Sequence, residues 1–170
     1  MKGYVQIYTG NGKGKTTAAL GLAFRARGAG LRVDIVQFLK RDGCSEHKSC
    51  AQMGINICTG ESVALPPWDK KGDALWRAHT KAQYAAAMCA LTCGSDVVIL
   101  DEIMAAITKG YLSREDVQAL LDARLLGVEL ILTGRDAPQW LIDRADLVTR
   151  MEIVKHYVDQ GIRAREGIEY

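Results

Sequence analysis

The sequence predicts an α/β protein built on a mostly parallel sheet, and three observations carry that prediction. A short strand, a glycine-rich turn, a helix and a second strand follow one another within about the first forty residues, a βαβ arrangement that requires parallel pairing. Two uninterrupted apolar runs, Val97 to Leu100 and Val128 to Leu132, read as strands buried on both faces. Helical periodicity separates these runs, which completes the alternation.

Each element has a local reason. Tyr4 to Tyr8 alternates and stops at Thr9-Gly10-Asn11-Gly12, a strand entering a turn. From Lys15 to Ala29, the residues Ala19, Leu20, Leu22, Ala23 and Ala26 recur at helical spacing, and Gly28 and Gly30 close the segment. Leu31 to Leu39 forms the second strand. Residues 40–71 mix glycine, proline, charge and three cysteines without periodicity, so they read as a long functional loop with a short strand near Ile55 to Cys58. An alanine-rich helix runs from about Asp73 to Leu91. Ser113 with Asp116 three residues later caps a helix before Val117, Leu120 and Leu121. A short helix around Gln139 to Arg144 and a strand from Leu147 to Val154 end the pattern.

The chain of 170 residues is 48% hydrophobic, a length and composition that suit a single domain over residues 1–170. Lysine and arginine number 22 against 20 acidic residues, and this net charge of +2 leaves no electrostatic footprint for nucleic acid or an anionic membrane. A bound anion therefore needs a local site. No window approaches the roughly 18 apolar residues of a membrane span, and the start lacks an export signal, which makes a cytoplasmic location the expectation. The five cysteines are odd in number and scattered, a pattern of reduced thiols rather than a disulfide framework.

The local anion site is Thr9-Gly10-Asn11-Gly12-Lys13-Gly14-Lys15-Thr16-Thr17, between the first strand and the first helix. Glycines let backbone N–H groups converge on phosphate oxygens, the helix N-terminus adds its positive end, and Lys15 adds a mobile charge. Thr16 offers a hydroxyl to Mg²⁺. Thr9 stands where the usual pattern G-x-x-x-x-G-K-[ST] has its first glycine. The apolar run Val97 to Leu100 ends in Asp101 and Glu102, acids placed to orient magnesium directly or through water. Lys15 and Glu102 are the candidate catalytic residues, because in an ATPase or kinase the acid would also activate water or an acceptor hydroxyl.

The phosphate loop, Val97-Val98-Ile99-Leu100-Asp101-Glu102, Thr133-Gly134-Arg135, Ala145-Asp146-Leu147-Val148, Lys155-His156 and Gly167-Ile168-Glu169-Tyr170 occur in order. With them the chain resembles, nearly end to end, the CobA/BtuR/CobO type of ATP:corrinoid adenosyltransferase. That family's loop reads GNGKGKTT, as Gly10 to Thr17 do here, so Thr9 is a family trait. The resemblance implies a RecA-like P-loop fold, a homodimer, ATP and a reduced corrinoid as substrates, and a reduced flavoprotein as electron donor. It also implies the reaction: cobalt(I) attacks the 5′ carbon of ATP, held in a reversed sense, and triphosphate leaves.

Further residues follow from the same resemblance. Arg135 would hold nucleotide or corrinoid carboxamides, and Lys155 and His156 would lie near the ligand. The stretch Glu61 to Trp68 corresponds to the part that closes over the lower corrinoid face; it lacks a clear Phe-x-Trp pair, and Trp68 is its best aromatic. Two other functions compete, an ordinary P-loop ATPase or kinase and a non-catalytic module that binds ATP or a corrinoid. Separately, Cys44-x-x-His47-x-x-Cys50 with Cys58 beyond offers four ligands of the softness zinc accepts.

Overall fold

The computed structural model describes residues 2–40, 43–60 and 72–169. Its sheet contains β1 (Val5–Thr9), β2 (Val33–Gln37), β3 (Asn56–Cys58), β4 (Val97–Asp101), β5 (Glu129–Thr133) and β6 (Leu147–Arg150), in the order β3-β2-β4-β5-β1-β6. All the strand pairs are parallel. The helices are α1 (Lys15–Gly28), α2 (Ser45–Met53), α3 (Asp73–Thr92), α4 (Ile103–Thr108), α5 (Arg114–Ala123) and α6 (Gln139–Ile142), followed by a 3₁₀ turn at Tyr157–Gln160.

Side-chain alternation along the strands divides the core between the two faces of the sheet. Ile35, Ile99 and Ile131 lie in register across β2, β4 and β5, and they pack against Ala19, Ala23 and Ala26 of α1. Small alanines allow that helix to lie close on the sheet. On the opposite face Val36, Leu100, Leu132 and Ile7 are in register and pack with Trp76, Leu91, Val117 and Leu120. The buried rows explain why β4 and β5 read as continuous apolar runs.

Several boundaries and two helices differ from expectation. The segment from 40 to 71 contains a helix, α2, as well as the expected strand. Its sequence SEHKSCAQM buries only Cys50 among its residues, so no apolar stripe announces it. Gly54, at φ 66°, ends it. The six-residue α4 is also unexpected: it is short, and with Ile103, Met104 and Ala106 all buried it has little polar face to mark it as a helix. The last strand stops at Arg150 rather than Val154, and the short helix stops at Ile142. The cap at Ser113 forms as expected: Asp116 N–H donates to Ser113 Oγ at 3.1 Å, and Ser113 N–H donates to Asp116 Oδ2 at 2.8 Å.

Candidate active site at the carboxyl edge of the sheet

Ligands in open α/β sheets sit beyond the carboxyl ends of the strands, and the phosphate loop connects β1 to α1 at that edge. Gly10, at φ 97°, is a position where the loop requires glycine: a Cβ there would lie 2.3 Å from the Met151 carbonyl oxygen. The loop is fastened to the segment after β6 by Met151 N–H to the Thr9 carbonyl and Gly12 N–H to the Met151 carbonyl, both 2.8 Å. Thr9 itself is buried, and its Oγ1 accepts a hydrogen bond from Ala137 N–H at 3.2 Å. Its side chain thus serves the loop's anchorage rather than the cavity in front of it.

Lys15 is 7% exposed, and its ammonium donates to the carbonyls of Gly10 and Gly12 at 2.8 and 2.9 Å. The charge is therefore carried inside the loop's own curve. Burial pulls its pKa below the ordinary lysine value, with Glu102 drawing it up and Arg135 pushing it further down.

Asp101 is 1% exposed and is the centre of a network that ties three strands to α1. Its Oδ1 accepts from Thr16 Oγ1 at 2.8 Å and Thr133 Oγ1 at 2.6 Å, and its Oδ2 accepts from Gln37 Nε2 at 3.1 Å. Thr133 Oγ1 in turn accepts from Glu102 N–H at 2.9 Å. The threonine hydroxyl and the carboxylate lie side by side as oxygen donors, a set that suits a magnesium ion.

Glu102 turns the chain from β4 into α4 at φ 58°, left-handed backbone for a non-glycine residue. Such strain concentrates at functional sites. Burial, followed by repulsion from Asp101, raises its carboxyl above the ordinary glutamate value, while Lys15, Arg135 and Lys40 oppose the shift. Opposite it, Gly134 at φ 141° passes against Met104, where a Cβ would meet the Met104 Cβ at 2.6 Å. That glycine lets the chain carrying Arg135 cross α4.

A cavity of about 560 Å³ opens in front of these groups. It is lined by Asn11 to Thr17, Glu102, Arg135 and His156, and on its far sides by Lys40 with α2 and by the segment around Glu169. Lys155 is exposed outside it. Thr9 and Gly10 line a neighbouring cavity of about 530 Å³ with Asp136, Arg150 and Glu152. Trp68 and the stretch from Glu61 lie outside the described residues.

The structure also assembles residues to which the sequence reading assigns no role at the site. Gln37 is fully buried at the end of β2. Its Oε1 lies 2.7 Å from His47 Nε2, so it links α2 to Asp101. Lys40 pairs with Glu46. Glu169 accepts from Lys13 Nζ at 3.0 Å, from Arg165 N–H at 2.7 Å and from the Tyr157 hydroxyl, and it is held well below the ordinary carboxylate range by Arg165, then Tyr157. Gln37 and Thr133 share one sequence signal, a polar residue at the carboxyl end of an apolar strand. Glu169 stands in the C-terminal motif, but its link to Lys13, 156 positions away, leaves no local pattern.

The proposed zinc quartet is not brought together. Cys44, Glu46 and His47 place ligand atoms within 4.8 Å of one another, but Cys50 turns into the core beside Ile55 and α1, and Cys58 lies on β3 at a different cleft. Three residues apart on α2, His47 and Cys50 are neighbours on the helix, but the Cys50 side chain is packed in the core while His47 Nε2 lies 2.7 Å from Gln37 Oε1.

Residues 1–170 match the family described as ATP:corrinoid adenosyltransferase BtuR/CobO/CobP. The chain belongs to this family. A corrinoid adenosyltransferase of Pseudomonas aeruginosa is 33% identical over 99% of this chain and 84% of its own length. The corrinoid adenosyltransferase CobA of Salmonella typhimurium is 35% identical over 99% and 86%, and that of Escherichia coli K12 is 34% identical over the same shares. Among solved structures, a KaiC-like protein of Pyrococcus horikoshii superimposes with a TM-score of 0.54 at 21% identity, covering 91% of this chain and 75% of its own. The fold is the RecA-like P-loop fold, as expected.

Proposed function

We propose that this chain transfers the 5′-deoxyadenosyl group of ATP to cobalt(I) of a reduced corrinoid and releases inorganic triphosphate. The observation that carries the proposal is the end-to-end family match on a chain whose phosphate loop meets a buried Asp101–Thr16 pair. Cobalt(I) is the nucleophile and needs no general base, so Glu102 acts by its charge rather than by activating water. As the C5′–O bond breaks, charge gathers on the departing triphosphate. Backbone N–H groups of the glycine-rich turn and the first turn of α1 would meet that charge, and the Lys15 ammonium, which the Gly10 and Gly12 carbonyls hold beside the cavity, would add its own.

Thr16 Oγ1 and Asp101, with Glu102 alongside, would hold Mg²⁺. The ion supplies positive charge against the triphosphate. Asn11, Lys13, Gly14, Thr17 and Arg135 contact nucleotide or corrinoid around the same cavity. Trp68 covers the lower corrinoid face, displacing the axial ligand of cobalt(II) without coordinating in return. Trp68→Ala should therefore slow turnover started from cobalt(II) with a weak reductant and spare turnover from preformed cobalt(I); equal losses would reject this role.

A reduced flavoprotein donor and a cytoplasmic homodimer complete the proposal. The dimer is supported by apolar side chains exposed on and after β6, among them Leu147, Val148, Ile153 and Val154. Among the described residues, no helix is long and apolar enough to cross a membrane. The deciding experiment is an anaerobic incubation of the protein with ATP and chemically reduced cobalamin. A visible spectrum of the cobalt–carbon bond with stoichiometric triphosphate supports transfer, whereas release of orthophosphate would indicate an ATPase.

A further inference from the structure

We propose that Cys89 and Cys93 form a redox-active dithiol that reacts with low-molecular-weight disulfides and closes to a disulfide within the last turn of α3. The pair is separate from the nucleotide cavity. Its sulfurs are 3.4 Å apart, with the Cys89 thiol donating to Cys93 Sγ, and both side chains are exposed. They line a cleft of about 530 Å³ together with Arg27, Arg32, Asp34 and Cys58. A small disulfide therefore has access to both sulfurs.

Backbone geometry permits closure. Residues four apart in a helix have Cα atoms about 6 Å apart, inside the range of roughly 4.4–6.8 Å that disulfides span. Cys93 is the residue that ends α3, with φ −107° and ψ 22°, and Gly94 follows at φ 95°. The second sulfur is thus carried on backbone that has already left the helix, where small dihedral changes bring the sulfurs to bonding distance.

The two thiols also have different roles. Cys93 accepts from Cys89, and Thr92 Oγ1 lies 3.7 Å from its sulfur. These contacts favour its thiolate and move its pKa down, while Cys89 moves up, first through the bond to Cys93 and further through the charge of Asp34. The Cys93 thiolate attacks one sulfur of RSSR, forming a mixed disulfide and releasing one RS⁻. Cys89 then loses its proton and attacks the Cys93 sulfur, forming the Cys89–Cys93 bond and displacing the second RS⁻. The protons released by the two thiols end on the two products, so one dithiol and one RSSR give one protein disulfide and two RSH.

The test uses the full chain and oxidised glutathione under anaerobic conditions, followed by alkylation, trypsin digestion and mass spectrometry. The tryptic segment 82–109 contains Cys89 and Cys93 and no other cysteine. It should lose two hydrogens and resist alkylation while Cys44, Cys50 and Cys58 remain alkylatable. Cys89→Ser should accumulate glutathione on Cys93, and Cys93→Ser should react about threefold or more slowly at Cys89. A persistent mixed disulfide in the wild type, a covalent dimer, or an unreacted pair under these conditions would each overturn the proposal.

Discussion

The two rims of the main cavity are built differently. On the sheet side, Lys15, Thr16, Asp101 and Thr133 are held by short hydrogen bonds among groups that are largely withdrawn from water. On the other side, residues 157–169 lie across the phosphate loop through contacts that converge on Glu169, with Lys13 and Arg165 as its cationic partners. Buried hydrogen bonds lose the full desolvation of a partner when broken, whereas exposed ion pairs contribute about 0–1 kcal/mol and weaken with salt. The first rim is thus rigid, as its proposed role toward phosphate and metal requires. The second is a strap whose hold varies with charge.

The largest expected effect comes from removing the charge at the centre of the fixed rim. Lys15→Ala should lower activity about tenfold or more while leaving the circular dichroism spectrum and melting cooperativity intact. Wild-type kinetics in the folded variant would remove the phosphate loop from the mechanism.

Next comes Asp101→Asn. One carboxylate oxygen becomes an NH₂ facing donors from Thr16, Thr133 or Gln37, so stability should fall by about 1–3 kcal/mol and activity should require more magnesium. A magnesium titration identical to the wild type would reduce Asp101 to a structural hydrogen-bond acceptor.

Glu102 sharpens the same rim through pH. Its carboxyl is raised by burial first and by Asp101 second, so it binds its proton at a higher pH than an ordinary glutamate. The acidic limb of kcat/KM should therefore begin above the ordinary glutamate range, near 4.3, with activity falling as pH falls. Glu102→Gln should lower activity and abolish that limb; a limb that persists in the variant assigns it to another group.

The smallest effect belongs to the strap. Because Glu169 is depressed in the folded chain, its contacts are fully present above the unfolded glutamate value near 4.3 and are lost only as pH falls through the lower folded value. Between pH 5 and 8 the wild-type strap should not change. Glu169→Gln should raise KM for ATP a few-fold with little change in kcat, and should speed hydrogen exchange in residues 157–169. A fall in kcat with KM unchanged would place Glu169 in the fixed rim instead.

These rims also differ in how far the sequence anticipates them. Lys15, Thr16 and Asp101 are legible as a group because each stands at a fixed offset from a strand end, where chain geometry brings them to one edge of the sheet. The helix α2 is not legible: it buries Cys50 alone and presents polar residues elsewhere, so it carries no periodic signal. Cys44, His47, Cys50 and Cys58 look like one group at sequence spacing, yet packing of Cys50 into the core and a change of element before Cys58 send them to different places.

By itself, the sequence determined the α/β alternation, the parallel pairing, the phosphate loop and the acid that faces it. Those features depend on local periodicity and on short chain connections, which leave few arrangements. Tertiary structure alone decided that Gln37 and Thr133 share Asp101 with Thr16, and that Glu169 meets Lys13 across 156 positions. Such contacts depend on the sheet order β3-β2-β4-β5-β1-β6, which brings together strand ends far apart in the chain, and hydrogen bonds between distant side chains leave no period in the sequence.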